Sequence, residues 1–169
     1  MIPIFMGLGS NMGDRYKNLS IGCELIDALP ETNLVNLSSI YETPPLYNTE
    51  QASFLNMVVE ISSLFSPFEL LIKIKNIESA LGRDIENGHN LPRVLDIDIL
   101  AYGSKEIMKN NLTIPHPGIF ERKFVLQPWS DIAEDFILVG MNKSIKSLLQ
   151  NTPDKSSIIL TQFLVGKMA

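Results

Sequence analysis

The chain has 169 residues, 45% apolar and 20% charged, which suits one compact core and excludes an intrinsically disordered polymer. Nineteen acidic against fourteen basic side chains give a net charge of -5, so bulk attraction to nucleic acid or to an anionic membrane is excluded. Cys23 stands alone and cannot form an intramolecular disulfide, and no apolar run reaches the roughly eighteen residues of a membrane span, so a cytoplasmic protein is expected.

No repeat, low-complexity tract or linker divides the sequence, and a single domain over 1–169 is expected. Residues Ile2 to Leu8 are almost continuously apolar and read as a strand buried on both faces, broken by the turn-forming Gly9-Ser10-Asn11. From Asp14 onward Tyr16, Leu19, Cys23 and Ile26 recur at helical spacing, and Pro30 closes that helix. A second strand is expected over about Leu34 to Tyr41. Thr43-Pro44-Pro45-Leu46 must then be a stiff loop, because two prolines fix φ and remove donors. Leu55, Met57, Val59 and Ile61 alternate with partners of mixed polarity, the pattern of a half-buried strand.

Ser66-Pro67-Phe68-Glu69 is a capping box with proline at the first helical position, and Gly82 is placed to end the helix it opens. Asp84 to Pro92 read as an exposed loop, and Leu95, Ile97 and Ile99 alternate with Asp96 and Asp98 in a further strand. Beyond Gly103 the pattern is weaker. Ile114 to Gly118 is a loop, Phe124 to Leu126 is extended or ends a short helix, Ser144 to Leu149 is helical, and Ile158 to Leu160 reads as an edge strand. The order strand, helix, strand, strand, helix, strand indicates an α+β fold, a ferredoxin-like sandwich whose helices lie on one side of a mainly antiparallel sheet.

Asp96-Ile97-Asp98 is the sharpest chemical feature. Two residues apart on a strand, the carboxylates share a face with α-carbons about 6.5 to 7 Å apart, and can hold one divalent ion or a close pair. An isolated pair also suits a solvated sheet edge, but apolar neighbours and the nearby Arg83 and Arg93 favour a magnesium–nucleotide site with guanidinium groups on phosphate. P-loop, dinucleotide, zinc and nucleophile-elbow motifs are all lacking. His116 sits between two prolines with Arg122 near in sequence, which suits a phosphate donor as well as a surface histidine. Phe54 and Phe124 suit a core, while Asn56, polar in an apolar run, needs hydrogen-bond partners that a heteroaromatic ligand can supply.

These motifs resemble the 6-hydroxymethyl-7,8-dihydropterin pyrophosphokinase family of folate biosynthesis. They run from Leu8-Gly9-Ser10-Asn11 through Tyr41-Glu42-Thr43-Pro44-Pro45-Leu46, Phe54-Leu55-Asn56 and Leu81-Gly82-Arg83. They continue with Pro92-Arg93-x-x-Asp96-Ile97-Asp98, Ile114-Pro115-His116-Pro117 and Arg122-x-Phe124. The resemblance implies pyrophosphate transfer from ATP to the pterin alcohol, with two Mg2+ ions on Asp96 and Asp98. It further implies Arg83 and Arg93 as catalytic cations and an ATP site that also includes Glu78, Ile99, Thr113, His116 and Arg122. The pterin would lie between Phe54 and Phe124, read by Asn56 and by the backbone of Thr43, Pro44, Pro45 and Leu46. No nucleic-acid or membrane partner is expected, and the chain is expected to act as a monomer. The family's second loop arginine and its Trp-Gly are replaced by Ile85, Asn90 and Leu91, which leaves a non-catalytic pterin- or nucleotide-binding relative as the alternative.

Overall fold

A computed structural model describes residues 2–45, 50–82 and 92–165. In chain order the elements begin with β1 (Ile4–Ser10), α1 (Arg15–Asp27), β2 (Thr32–Leu37), β3 (Tyr41–Thr43) and β4 (Phe54–Ser63). α2 (Pro67–Ala80), β5 (Asp96–Tyr102), β6 (Ile107–Lys109) and β7 (Leu112–Ile114) follow. A 3-10 turn over Ile119–Glu121 leads into α3 (Lys123–Ala133), then β8 (Ile137–Leu138), β9 (Lys143–Ser144), α4 (Ile145–Asn151) and β10 (Ile159–Leu160).

β1 is central because both its faces are apolar. It pairs antiparallel with β4 on one side and with β5 on the other. β2 and β3 share the far edge of β4, and β10 adds to β3, so the sheet runs β10-β3-β4-β1-β5 with β2 beside β4. The single strand expected over Leu34 to Tyr41 is thus two. At the break, Ser38 N donates to Val58 O and Ser38 Oγ accepts from Val58 N, both at 2.9 Å, so a hydroxyl takes the place of one ladder carbonyl.

α1 and α2 pack on one face, as the ferredoxin-like reading requires. Asp14 caps α1 by accepting from Lys17 N at 3.0 Å, and the Ser66–Glu69 capping box opens α2. Gly82, at φ +91°, lies just past the end of α2, in a conformation a side chain would oppose. Leu19, Cys23, Ile26, Leu70, Ile74 and Ile77 meet Ile4, Met6, Leu8, Met57, Ile97 and Ile99 in this first core. Each fully buried aliphatic side chain there contributes about 1.5–3 kcal/mol.

Of the second layer the sequence foresees only α4, the helix expected over Ser144 to Leu149, and not that helices cover both faces of the sheet. α3 and α4 cover the opposite face, where Val125, Leu126, Trp129, Ile145 and Leu148 pack on Phe5, Val58, Leu100 and Ala101. β4 is therefore buried on both faces along most of its length instead of being half-buried. Phe124 to Leu126 lie in the first turn of α3, so they open a helix where the expectation was an extended segment or the close of a short helix.

Candidate active site

Residues directly opposite on antiparallel strands share a face. Asp96, Gly9, Asn56 and Tyr41 therefore form one row across the sheet, and Asp98, Gly7 and Val58 the next. Thr43 and Phe54 make the row beyond Asn56. All of this lies on the face that α3 and α4 cover, toward the ends of β1 and β4 where the second core stops. The side chains of Asp96 and Asp98 stay 20% and 39% exposed.

Four basic side chains act on the acidic pair. Arg93 Nη1 donates to Asp96 Oδ2. His116 Nε2 lies 3.7 Å from Asp98 Oδ2, and Arg122 and Lys75 act on Asp98 electrostatically. Burial pushes the Asp98 carboxyl above its ordinary range and the charge of Asp96 adds to this, while His116, Lys75 and Arg122 oppose it.

The backbone explains how the histidine arrives there. Phe5 pairs with Ala101 and Met6 with Ile99, so Leu100 is an extra residue in β5. Its carbonyl accepts from His116 N at 2.9 Å, which docks the proline-flanked loop against the acidic strand. Within that loop Nδ1 donates to Pro117 O at 2.7 Å, which leaves Nε2 toward Asp98.

Beside this charged cluster lies a polar pair that sequence alone leaves unpartnered. Asn56 Nδ2 donates to Thr43 Oγ1 at 2.7 Å, and both residues are buried. Phe54 and Phe124 are each partly exposed, Phe54 at the start of β4 and Phe124 in the first turn of α3, where it packs against the second core. Pro44 and Pro45 follow β3 without regular structure. Leu46 and Arg83, both expected at the site, lie outside the described residues, as do Ile85, Asn90 and Leu91.

Three expected nucleotide-lining positions differ in character. Glu78 is 0% exposed, with Oε1 accepting from Ile97 N at 2.7 Å and Oε2 paired to Lys75 Nζ at 2.9 Å. It clamps α2 to the backbone between the two aspartates, and burial raises its carboxyl above the usual range. Ile99 is buried in the first core, while Thr113 is partly exposed on β7. Arg15, the remaining arginine, donates through Nη1 to Glu42 Oε1 and Ser53 O, both at 2.7 Å, and so ties β3 to the start of β4.

Several site residues carry little signal on their own. A Cβ on Gly9 would stand 2.9 Å from Asn56 Oδ1, so this glycine is needed for the asparagine to lie across β1. A glycine inside an apolar strand is the hint available in the sequence. Asn11 exchanges two bonds with Arg93, its N donating to Arg93 O at 3.1 Å and its Oδ1 accepting from Arg93 N at 2.7 Å. Its Nδ2 donates to Gln51 Oε1 at 3.1 Å, which links the arginine to the segment before β4. Lys75 lies on an ordinary helix face with nothing to single it out.

Comparison with known proteins gives the site its context. The family model described as 7,8-dihydro-6-hydroxymethylpterin-pyrophosphokinase matches residues 5–134. The 2-amino-4-hydroxy-6-hydroxymethyldihydropteridine pyrophosphokinase of Methylorubrum extorquens is 41% identical over 140 residues, covering 83% of this chain and 88% of the relative. That of Bacillus subtilis is 42% identical over 130 residues, 77% of each. The folic acid synthesis protein FOL1 of Dictyostelium discoideum is 37% identical over 92% of this chain, which spans only 23% of that longer protein. Among solved structures, the Plasmodium falciparum HPPK-DHPS wild type with pteroate superposes with a TM-score of 0.71. At 18% identity, over 88% of this chain and 42% of that one, it shares the fold. On the extent of the family match and the identity to relatives of similar length, the chain belongs to the 7,8-dihydro-6-hydroxymethylpterin-pyrophosphokinase family.

Proposed function

We propose that this chain transfers the pyrophosphoryl group of ATP to 6-hydroxymethyl-7,8-dihydropterin, releasing AMP, as a step of folate synthesis. The carrying observation is the placement of Asp96 and Asp98, with Arg93, His116 and Arg122 about them, on the same sheet face as the Asn56–Thr43 pair. Family membership and the names of the relatives support the same reading. A single-domain, monomeric, cytoplasmic enzyme is part of the proposal. No described helix is long and apolar enough to cross a membrane.

The donor set fits magnesium. Among the described residues no three His, Cys, Asp or Glu side chains gather into a protein cage, but magnesium is commonly held by one or two carboxylates with substrate phosphates completing its shell. Asp98, disfavoured as an isolated anion by burial and by Asp96, gains from a cation placed between them. Two ions there, held by Asp96 and Asp98, would neutralise phosphate charge.

The remaining work belongs to the chain. Asn56 and Thr43, with the backbone from Thr43 to Leu46, read the amide edge of the pterin, and Phe54 and Phe124 stack on its ring. Arg93, with Arg83, His116 and Arg122, holds the phosphates so that the pterin hydroxymethyl oxygen faces the β-phosphorus in line with the leaving AMP. The new oxygen–phosphorus bond forms as the bond from that phosphorus to the AMP oxygen breaks, the hydroxyl proton passes to solvent, and the cations offset the charge that develops.

The test is AMP formation from ATP and 6-hydroxymethyl-7,8-dihydropterin, followed chromatographically with and without magnesium. Magnesium-dependent AMP and pterin diphosphate in equal amounts are expected. A purified chain that binds both substrates and forms no AMP is instead the non-catalytic relative.

A further inference from the structure

The α3 helix starts at the site with a residue that cannot cap it. Arg122 occupies the N-cap position, its side chain makes no capping bond, and a guanidinium has no acceptor to offer. A Ser or Asp there would cap the helix and remove the cation. The chain separates the two duties. Lys123 N, the first orphan amide of α3, donates to Asp154 Oδ2 at 2.9 Å across thirty-one residues of sequence.

Asp154 is itself held in place. Its Oδ1 accepts from Ser156 N at 2.8 Å, and its N donates to Thr152 Oγ1 at 3.2 Å. The Thr152 hydroxyl donates to Phe120 O at 2.6 Å, in the turn just before Arg122, and Lys123 Nζ donates to Ser156 O at 3.2 Å. The segment after α4 therefore grips both sides of Arg122, at Phe120 and at Lys123. Arg122 acts electrostatically on Asp98, and Phe124 lies one residue beyond the capped amide.

We propose that Asp154, supported by Thr152, is a positioning residue that sets Arg122 and Phe124 for phosphate and pterin by capping α3 from outside the helix. This rests on the pyrophosphokinase reading above. It also gives the C-terminal stretch, which lies beyond the family match at residues 5–134, a part in the site. An aspartate at the helix N-terminus also complements the helix dipole, and the bonds it accepts hold its carboxyl below its ordinary range.

The experiment uses the full chain, with hydrogen exchange of the 122–126 amides and calorimetric titration of ATP with magnesium and of 6-hydroxymethylpterin. Asp154→Ala is expected to speed exchange across 122–126 and to weaken both affinities by about fivefold, the typical worth of a helix cap. Asp154→Asn, which keeps one acceptor oxygen for the Lys123 amide but loses the bond from Ser156 N, is expected to restore both readouts in part. Thr152→Val, which removes the hydroxyl that donates to Phe120 O and accepts from Asp154 N while leaving the cap on Lys123 N in place, should move them in the same direction as Asp154→Ala by a smaller factor. Leu148→Ala, in the core beneath α4, should lower thermal stability yet leave both affinities near wild type. Wild-type affinity and exchange in Asp154→Ala, or an equal affinity loss in Leu148→Ala, overturns the positioning role. A wild-type chain that binds no pterin overturns the pyrophosphokinase reading and with it this role, which separates the two failures.

Discussion

The two faces of the central sheet are made by the same strands and have opposite duties. On the α1 and α2 face, β1, β4 and β5 present Ile4, Met6, Leu8, Met57, Ile97 and Ile99 to a dry aliphatic core. On the other face the same strands present Phe5, Val58 and Leu100 to α3 and α4, and then Gly7, Gly9, Asn56, Asp98 and Asp96 where that core stops. Because side chains alternate along a strand, Ile97 stands between two site carboxylates and belongs wholly to the other layer. Stability and chemistry are thus separated by one residue of sequence, and neighbouring substitutions should pull them apart.

The largest effect expected is on turnover. Asp96→Ala or Asp98→Ala should lower kcat by about a thousandfold, the scale on which loss of charge stabilisation acts. The melting temperature should hold or rise in Asp98→Ala, which relieves the repulsion from Asp96, and fall slightly in Asp96→Ala, which also gives up the bond from Arg93. Activity near wild type in both would remove the acidic pair from the site. Ile97→Ala reverses the pattern. It should cost about 2–5 kcal/mol of unfolding free energy, as for other buried large-to-small changes, and leave both KM values unchanged under conditions where the variant is folded. If denaturant unfolding shows Ile97→Ala stable and inactive, the two-face division fails.

The same division explains what the sequence discloses. The first layer is written in local signals: helical spacing in Tyr16 to Ile26, the Ser66–Glu69 box, and alternation in Leu95 to Ile99. Of the second layer only α4 is, in the helical reading of Ser144 to Leu149. α3 has Arg122 at its N-cap and contains Pro128, so neither its start nor its interior advertises a helix, and its cap comes from Asp154. The acidic pair and His116 are legible because residue type and spacing alone suggest their chemistry. That Asn56 meets Thr43, that Asn11 grips Arg93, and that Glu78 is buried under the acidic strand all depend on strand register and packing between distant segments. No local pattern encodes those contacts.

Two glycines sharpen the contrast within the site face itself. A Cβ on Gly9 would meet Asn56 Oδ1 at 2.9 Å, whereas a Cβ on Gly7 would find Leu100 at 3.5 to 3.8 Å, an ordinary contact. Gly9→Ala should therefore displace the asparagine and lower kcat/KM for the pterin about tenfold, with ATP affinity unchanged, consistent with overpacking costs of about 1–3 kcal/mol. Gly7→Ala should stay within about threefold of wild type, since it adds a methyl in ordinary contact. Equal effects from the two would place Asn56 outside the pterin-reading pair.

The smallest effect expected concerns how the helices of the two layers are capped. α2 is capped by its own sequence: Glu69 Oε2 accepts from Ser66 N at 2.8 Å and Ser66 Oγ from Glu69 N at 3.4 Å. Hydrogen bonding of the Ser66 side chain and backbone N to the Glu69 carboxylate holds that carboxyl below its ordinary value of 4.5. The sign follows from linkage. A carboxylate whose value is lowered by folding adds stability that is fully present above the unfolded value, and that stability is lost as pH falls through the lowered folded value. Glu69→Gln should therefore melt slightly below wild type near neutral pH, and the gap should close as the pH is taken below 4.5. It should not alter KM for either substrate, because α2's local cap serves the stability layer and touches nothing in the site. Thermal melts of the two proteins across that range measure it directly, and a gap that widens toward acid would show that the charged form of Glu69 is not what holds the first turn of α2.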